Sequence, residues 1–258
     1  MALEIADLCF AYPDGKRALD GISLHVNSGE SIGLVGPNGA GKTSFFLCLA
    51  GVLRGRAATF RVVGLDLTSA ADRSKLPTKL GIVFQNSDDQ LFSSTVGDDV
   101  AFGPLNLRLP ADEVKRRVDD ALKHVGLAGF GDRVPFHLSG GEKRRAALAG
   151  VLAMQPEMLL LDEPSMFLDP RGRRELMALL TTLPVTKIIA SHDLDLIMET
   201  CSRVIVLDHG KIVADGETRT VLADAALMES HGLEVPWRLR GNHQDRPPFM
   251  AGLSSSSP

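Results

Sequence analysis

The most constraining stretch of the chain is Gly36-Pro37-Asn38-Gly39-Ala40-Gly41-Lys42-Thr43, which fits the pattern G-x-x-x-x-G-K-[ST]. Before it lies the apolar run Ser31–Val35, which reads as a buried strand. After it comes a helical pattern predicted from Gly41 to Leu53. A strand feeding a helix through a glycine-rich turn aims backbone N–H groups and the positive end of a helix at one point. Phosphate oxygens suit that point. Lys42 is placed to neutralise the β- and γ-phosphates of a nucleotide, and the Thr43 hydroxyl to ligate Mg²⁺.

The surrounding pattern supplies the matching architecture. Gly81–Phe84, Met158–Leu161, Thr186–Ala190 and Arg203–Leu207 are short and mostly continuous apolar runs of the kind found in parallel sheets covered on both faces. Leu3–Phe10 and Ile22–Val26 flank the turn Pro13-Asp14-Gly15 and predict an antiparallel flap, while Lys211–Ala214 predicts a terminal hairpin after Asp208-His209-Gly210. Between Gln85 and Ser139 the pattern turns helical. Asp112–Val125 carries Val114, Val118, Leu122 and Val125 on one face, as an inserted helical subdomain at about 86–150 would require. The domain is expected to span 1–231, with a mobile tail over 232–258 whose last part holds three prolines and a serine run. The expected class is α/β, with a mainly parallel core sheet, an antiparallel flap and a helical insert.

Composition narrows the setting. Lys plus Arg number 28 against 32 Asp plus Glu, a net charge of −4, which disfavours nucleic acid as the main partner. Cys9, Cys48 and Cys201 are scattered, without zinc spacing, as expected in a reducing compartment. No run approaches the roughly 18 apolar residues of a membrane span, and the first residues do not form a secretory signal.

Two further segments carry chemistry. Met158–Glu163 is an apolar run ending in two acids. Asp162 is placed to approach Mg²⁺ through water, and Glu163 to act as general base on the attacking water. Leu138-Ser139-Gly140-Gly141-Glu142 reads as a capping box opening a helix over Lys143–Met154. Capping does not need two glycines, however, and Gly140 with Gly141 clears the helix tip for an anion. One nucleotide does not readily touch both tips within one subunit. A symmetric dimer, each tip facing the other subunit's ATP, resolves this.

The cradle, Leu138–Glu142 and Leu161–Glu163, in this order and spacing, resemble the nucleotide-binding subunit of ATP-binding-cassette (ABC) transporters over about residues 3–225. The resemblance implies a P-loop NTPase fold of the ABC-cassette type and a head-to-tail dimer holding two ATP molecules. It implies nucleotide contacts along Gly36, Pro37, Asn38, Gly39, Ala40, Gly41, Lys42, Thr43 and Ser44. Ser139, Gly140 and Gly141 then meet the γ-phosphate across the interface. Tyr12 matches the aromatic that stacks on adenine, though packing within the flap would use it equally well. Gln85 matches the glutamine that touches Mg²⁺ and senses the membrane partner, and His192 the histidine that contacts the γ-phosphate. Asp169, followed by Pro170, matches a contact between the two sites and also reads as a helix N-cap.

Phe84–Phe92, then Thr95-Val96 and Asp99–Gly103, resemble the energy-coupling-factor ATPases, especially those of cobalt and nickel importers. Ser165-Met166 before Leu168–Arg173 points the same way. Phe167 departs from the family, which commonly has a small residue there. The resemblance implies a peripheral ATPase on the cytoplasmic face of the inner membrane, with a transmembrane coupling subunit and a substrate-binding membrane subunit as partners. Cobalt is the expected cargo, with nickel or a vitamin as alternatives and an iron–sulfur assembly ATPase as another class. Homodimer and heterodimer both remain open. Asp88, Asp89 and Gln90, beside Leu91 and Phe92, are expected to line the docking groove or to form a solvated loop.

Overall fold

The computed structural model describes residues 1–240, so of the tail expected over 232–258 the part 241–258 lies outside the described residues. Strands β1 (Leu3–Ala11) and β2 (Arg17–Val26) precede β3 (Ser31–Val35) and helix α1 (Lys42–Leu49). Then come β4 (Thr59–Val62), β5 (Leu65–Asp66), α2 (Ala70–Arg73) and β6 (Leu80–Val83). Helices α3 (Val96–Asn106), α4 (Ala111–His124) and α5 (Gly140–Leu152) follow, and pack on one another. The chain closes with β7 (Met158–Asp162), α6 (Pro170–Thr182), β8 (Thr186–Ala190), α7 (Leu194–Thr200), β9 (Arg203–Asp208), β10 (Lys211–Glu217), α8 (Thr218–Ala223) and α9 (Ala225–Ser230).

Two sheets result. The flap is antiparallel, ordered β2-β1-β4-β5; its strands β4 and β5 are too short to have shown a period in the sequence. The larger sheet runs β10-β9-β3-β8-β7-β6, and every pair in it is parallel except β10 with β9. Alternation along its strands divides their side chains between two cores. Ile32, Leu34, Leu160, Ile188 and Ile205 face the flap and α1, whereas Val35, Leu159, Leu161, Ile189 and Val206 face the other helices. That is why these strands are mostly continuous apolar runs, with Lys187 on β8 a buried exception.

Boundaries moved for local reasons. Helix α1 stops at Leu49 rather than Leu53, because Gly51 takes φ 72° and the Val52 N–H donates to Leu47 O at 2.9 Å, closing the helix end. Helix α5 starts at Gly140, three residues before the expected Lys143. The Glu142 N–H donates to Ser139 Oγ at 3.3 Å, and the Ser139 N–H to Glu142 Oε2 at 2.8 Å, a complete capping box. Residues 233–240 of that expected tail pack on the domain. Leu233, Val235 and Leu239 pack against the helix-side core, and Arg238 pairs with Glu199.

Candidate active site

In the larger sheet β3, β8, β7 and β6 are adjacent and parallel, so their carboxyl ends open on one edge. Ligands of open α/β sheets bind at such an edge. The loop after β3 leads into the first turn of α1, which holds Lys42 and Thr43, while the loop after β8 holds His192, that after β7 holds Glu163, and that after β6 holds Gln85. With Tyr12 from the flap and Asp162 from the end of β7, these side chains line one cavity of about 880 Å³. Seven residues from five places in the sequence thus share one volume, of a size usual for small-molecule sites.

The cradle is open toward that volume. Gly41 sits before α1 at φ 111°, and a Cβ there would stand 2.6 Å from Ala18 O, so only glycine fits. Among the described residues no side chain caps the start of α1, which leaves its first N–H groups available to an anion. Lys42 Nζ donates to Gly36 O at 2.6 Å and Pro37 O at 3.1 Å. Burial lowers the Lys42 pKa, against the pull of Glu163 and Asp162. Tyr12 Oη lies 2.9 Å from Ser44 Oγ, and its ring meets Phe10 edge-on at 5.0 Å. One face of α1 and the flap are joined by that contact.

The acids differ in environment. Asp162 is buried, and burial raises its pKa; the Thr43 hydroxyl donates to its Oδ2 at 3.3 Å. Glu163 adopts φ 45°, a conformation few non-glycine residues take, and its N–H donates to Ala190 O at 2.8 Å. Its carboxylate accepts from the Ser191 hydroxyl at 3.0 Å and the His192 N–H at 3.0 Å, with His192 Nε2 at 3.6 Å. The strained turn therefore fixes the Glu163 carboxylate between two strand ends.

Ser139, Gly140 and Gly141 do not line the cavity, and neither does Asp169, which caps α6 by accepting from the Gly172 N–H at 2.7 Å. Gln85 lies on the cavity wall with its amide against Met166 Sδ at 2.8 Å.

Several contributors were not apparent in the sequence. Arg173 forms a two-pronged pair with Asp193 at 2.5 and 2.6 Å, anchoring the residue after His192 to α6. Burial works against the Asp193 carboxylate, yet with Arg173 beside it its pKa stays lowered. Ser191 and Arg144 also contact the site's backbone or side chains. Asp88, expected to line the docking groove or to lie in a solvated loop, is paired to Lys143 at 2.7 Å. Nothing in residue spacing marks such partners, since each joins elements remote in sequence.

A glycine-loop cradle facing acids at neighbouring strand ends defines a P-loop nucleoside triphosphatase. The profile of the ABC transporter family matches residues 19–166. A putative ABC transporter ATP-binding protein of Gloeobacter violaceus is 51% identical over 239 residues, covering 92% of this chain and 98% of that protein. The energy-coupling factor transporter ATP-binding protein EcfA of Methanothermobacter thermautotrophicus is 46% identical, over 91% of this chain and 76% of that protein. Among solved structures, cbiO1 of Clostridium perfringens, described as part of the ABC transporter complex cbiONQ, superposes with a TM-score of 0.80. It is 39% identical, covering 89% of this chain and 93% of that one. The chain belongs to the ABC transporter family, as an ATP-binding subunit with ATPase activity.

Proposed function

We propose that this chain is the ATP-hydrolysing subunit of an energy-coupling-factor importer, carrying cobalt ions, and that it works as a head-to-tail dimer at the cytoplasmic face of the membrane. The observation that carries the reading is the convergence of Lys42, Thr43, Gln85, Asp162, Glu163 and His192 on one cavity, in a chain similar to EcfA and cbiO1.

In this reading the open N–H groups of α1 receive the phosphates, and Lys42 exchanges its two carbonyl partners for phosphate oxygens. Glu163 takes a proton from the water that attacks the γ-phosphorus, and ADP leaves as the bond to its oxygen breaks. His192 orients the γ-phosphate beside Glu163. The residues present fit Mg²⁺. Asp162 is a buried carboxylate whose protein donor is the Thr43 hydroxyl, and together they offer the hard oxygens this cation prefers, with Gln85 nearby on the wall. Bound there, the cation would offset phosphate charge.

Support for the dimer comes from the capped tip Ser139–Gly141, which stands outside its own subunit's cavity. A membrane partner is supported by Phe92 and Phe102, which are 63% and 51% exposed and stacked edge-on at 5.1 Å beside exposed Leu105. Among the described residues no helix is long and apolar enough to cross a membrane. The test is co-purification of the tagged chain from membranes of its own source, followed by uptake of labelled Co²⁺ and Ni²⁺ into vesicles holding the recovered complex. Recovery of membrane subunits with ATP-driven Co²⁺ uptake supports the reading. Recovery of soluble partners alone refutes it.

A further inference from the structure

The buried arginine on α5 has no place in the chemistry just described. Arg144 is 3% exposed, yet among the described residues it forms no salt bridge. Its guanidinium is held by main-chain carbonyls: Nη1 donates to Phe84 O at 2.5 Å, and Nη2 donates to Gln85 O at 2.5 Å and Glu163 O at 3.4 Å. Its Nε has no partner among the described residues. Burying a cation against neutral oxygens costs stability that an apolar side chain of similar length would not. What the arginine provides is a fork with several rigidly spaced donors, which a point charge lacks.

The three oxygens belong to the loop after β6 and to the turn after β7, the two places that present Gln85 and Glu163 to the cavity. Gln90 closes the same loop from its other side, accepting from the Phe84 N–H at 2.9 Å and donating to Ile82 O at 3.1 Å. Arg144 also lies in the second turn of the helix whose first turn is Gly140–Glu142. A displacement of that tip therefore reaches the Gln85 carbonyl through one side chain.

We propose that Arg144 is a positioning residue for ATP hydrolysis: it clasps the backbone at Gln85 and Glu163 and ties their placement to the tip of α5. The proposal rests on the roles of Gln85 and Glu163 given above. Arg144 touches neither the cradle nor any group expected to meet the nucleotide, so its effect should fall on turnover rather than on ATP affinity.

The experiment compares full-length protein with Arg144→Met, Arg144→Lys, Gln85→Ala and the Gln85→Ala/Arg144→Met pair, by steady-state phosphate release and thermal denaturation. Arg144→Met is expected to lower kcat about tenfold or more, equivalent to ~1.4 kcal/mol of barrier, with KM for ATP within about twofold of the parent. Arg144→Lys, which reaches one carbonyl at a time, should recover part of the loss. The double variant should be no slower than Gln85→Ala by more than about threefold, because both changes act on one loop. A merely structural role predicts instead additive losses that follow the fall in melting temperature. Should Arg144→Met fail to fold, Arg144→Lys carries the test, and a parental kcat for it overturns the proposal. A parental kcat for Arg144→Met beside a slow Gln85→Ala also overturns it. A parental kcat for Gln85→Ala itself refutes the Gln85 role on which the proposal stands.

Discussion

Glu163→Gln separates the chemistry of the carboxylate from its place in the fold. The residue accepts from the Ser191 hydroxyl at 3.0 Å and from the His192 N–H at 3.0 Å to Oε1 and 3.2 Å to Oε2. A glutamine of the same shape keeps the Oε1 bond. Its amide nitrogen then faces Ser191 Oγ, which can accept as well as donate. At most the longer His192 contact is lost, a cost of about 1 kcal/mol. The backbone at φ 45° is unchanged, so no strain is added. Loss of a general base costs about 10²- to 10⁴-fold in rate, or roughly 2.7–5.4 kcal/mol of barrier. The chemical effect therefore exceeds the structural one several times over. Phosphate release at saturating ATP should fall at least about 100-fold, while ATP affinity stays within about threefold and melting shifts by only about 2–4 °C. Size-exclusion chromatography with ATP should show a dimer that persists longer than that of the parent. A kcat within about threefold of the parent would remove Glu163 from the base role.

Asp162→Asn should raise the melting temperature of metal-free protein at pH 7 while abolishing its stabilisation by ATP with Mg²⁺. Burial raises this carboxyl, so the folded state holds the proton to higher pH than the unfolded one and loses stability as pH rises from about 4 through the shifted range. Melting curves in chelator at pH 5 and pH 7 check the sign: the substitution should help more at pH 7. Phe167→Gly replaces a side chain 81% exposed at φ 63°, and should stabilise the isolated subunit by about 1 kcal/mol by relieving that conformation. If the ring also contacts the second copy, analytical ultracentrifugation will show a weaker ATP-dependent dimer. Ser139→Ala removes the cap of α5 and should cost about 1 kcal/mol in urea denaturation, with a fall in kcat beyond what stability explains if the tip serves the partner's ATP. Replacing Leu91, Phe92 and Phe102 together with serine should abolish recovery of membrane subunits without changing the ATPase KM; unchanged recovery would move the docking surface elsewhere.

What the sequence shows and what it hides divide along a physical line. The cradle was legible because a strand, a glycine turn and a helix are consecutive, and only such a run of residues can form it. The apolar strands were legible because a sheet covered on both faces leaves no polar alternation to confuse the reading; β4 and β5, with four and two residues, gave no period to read. Helix ends were misplaced where a local device decided them, as Gly51 and the Ser139 cap did. The supports of the site were hidden for a different reason. Arg144, Arg173 and Ser191 act by reaching the backbone or carboxylates of residues 19 to 60 positions away or on another element, and a surface arginine has the same letter. Residues that touch the nucleotide are confined to a few strand ends, so their identities repeat as motifs. Those that hold the strand ends in place can come from anywhere in the fold. The structure is therefore most informative in the layer behind the motifs, where one buried guanidinium joins the loop of Gln85, the turn of Glu163 and the helix of Ser139.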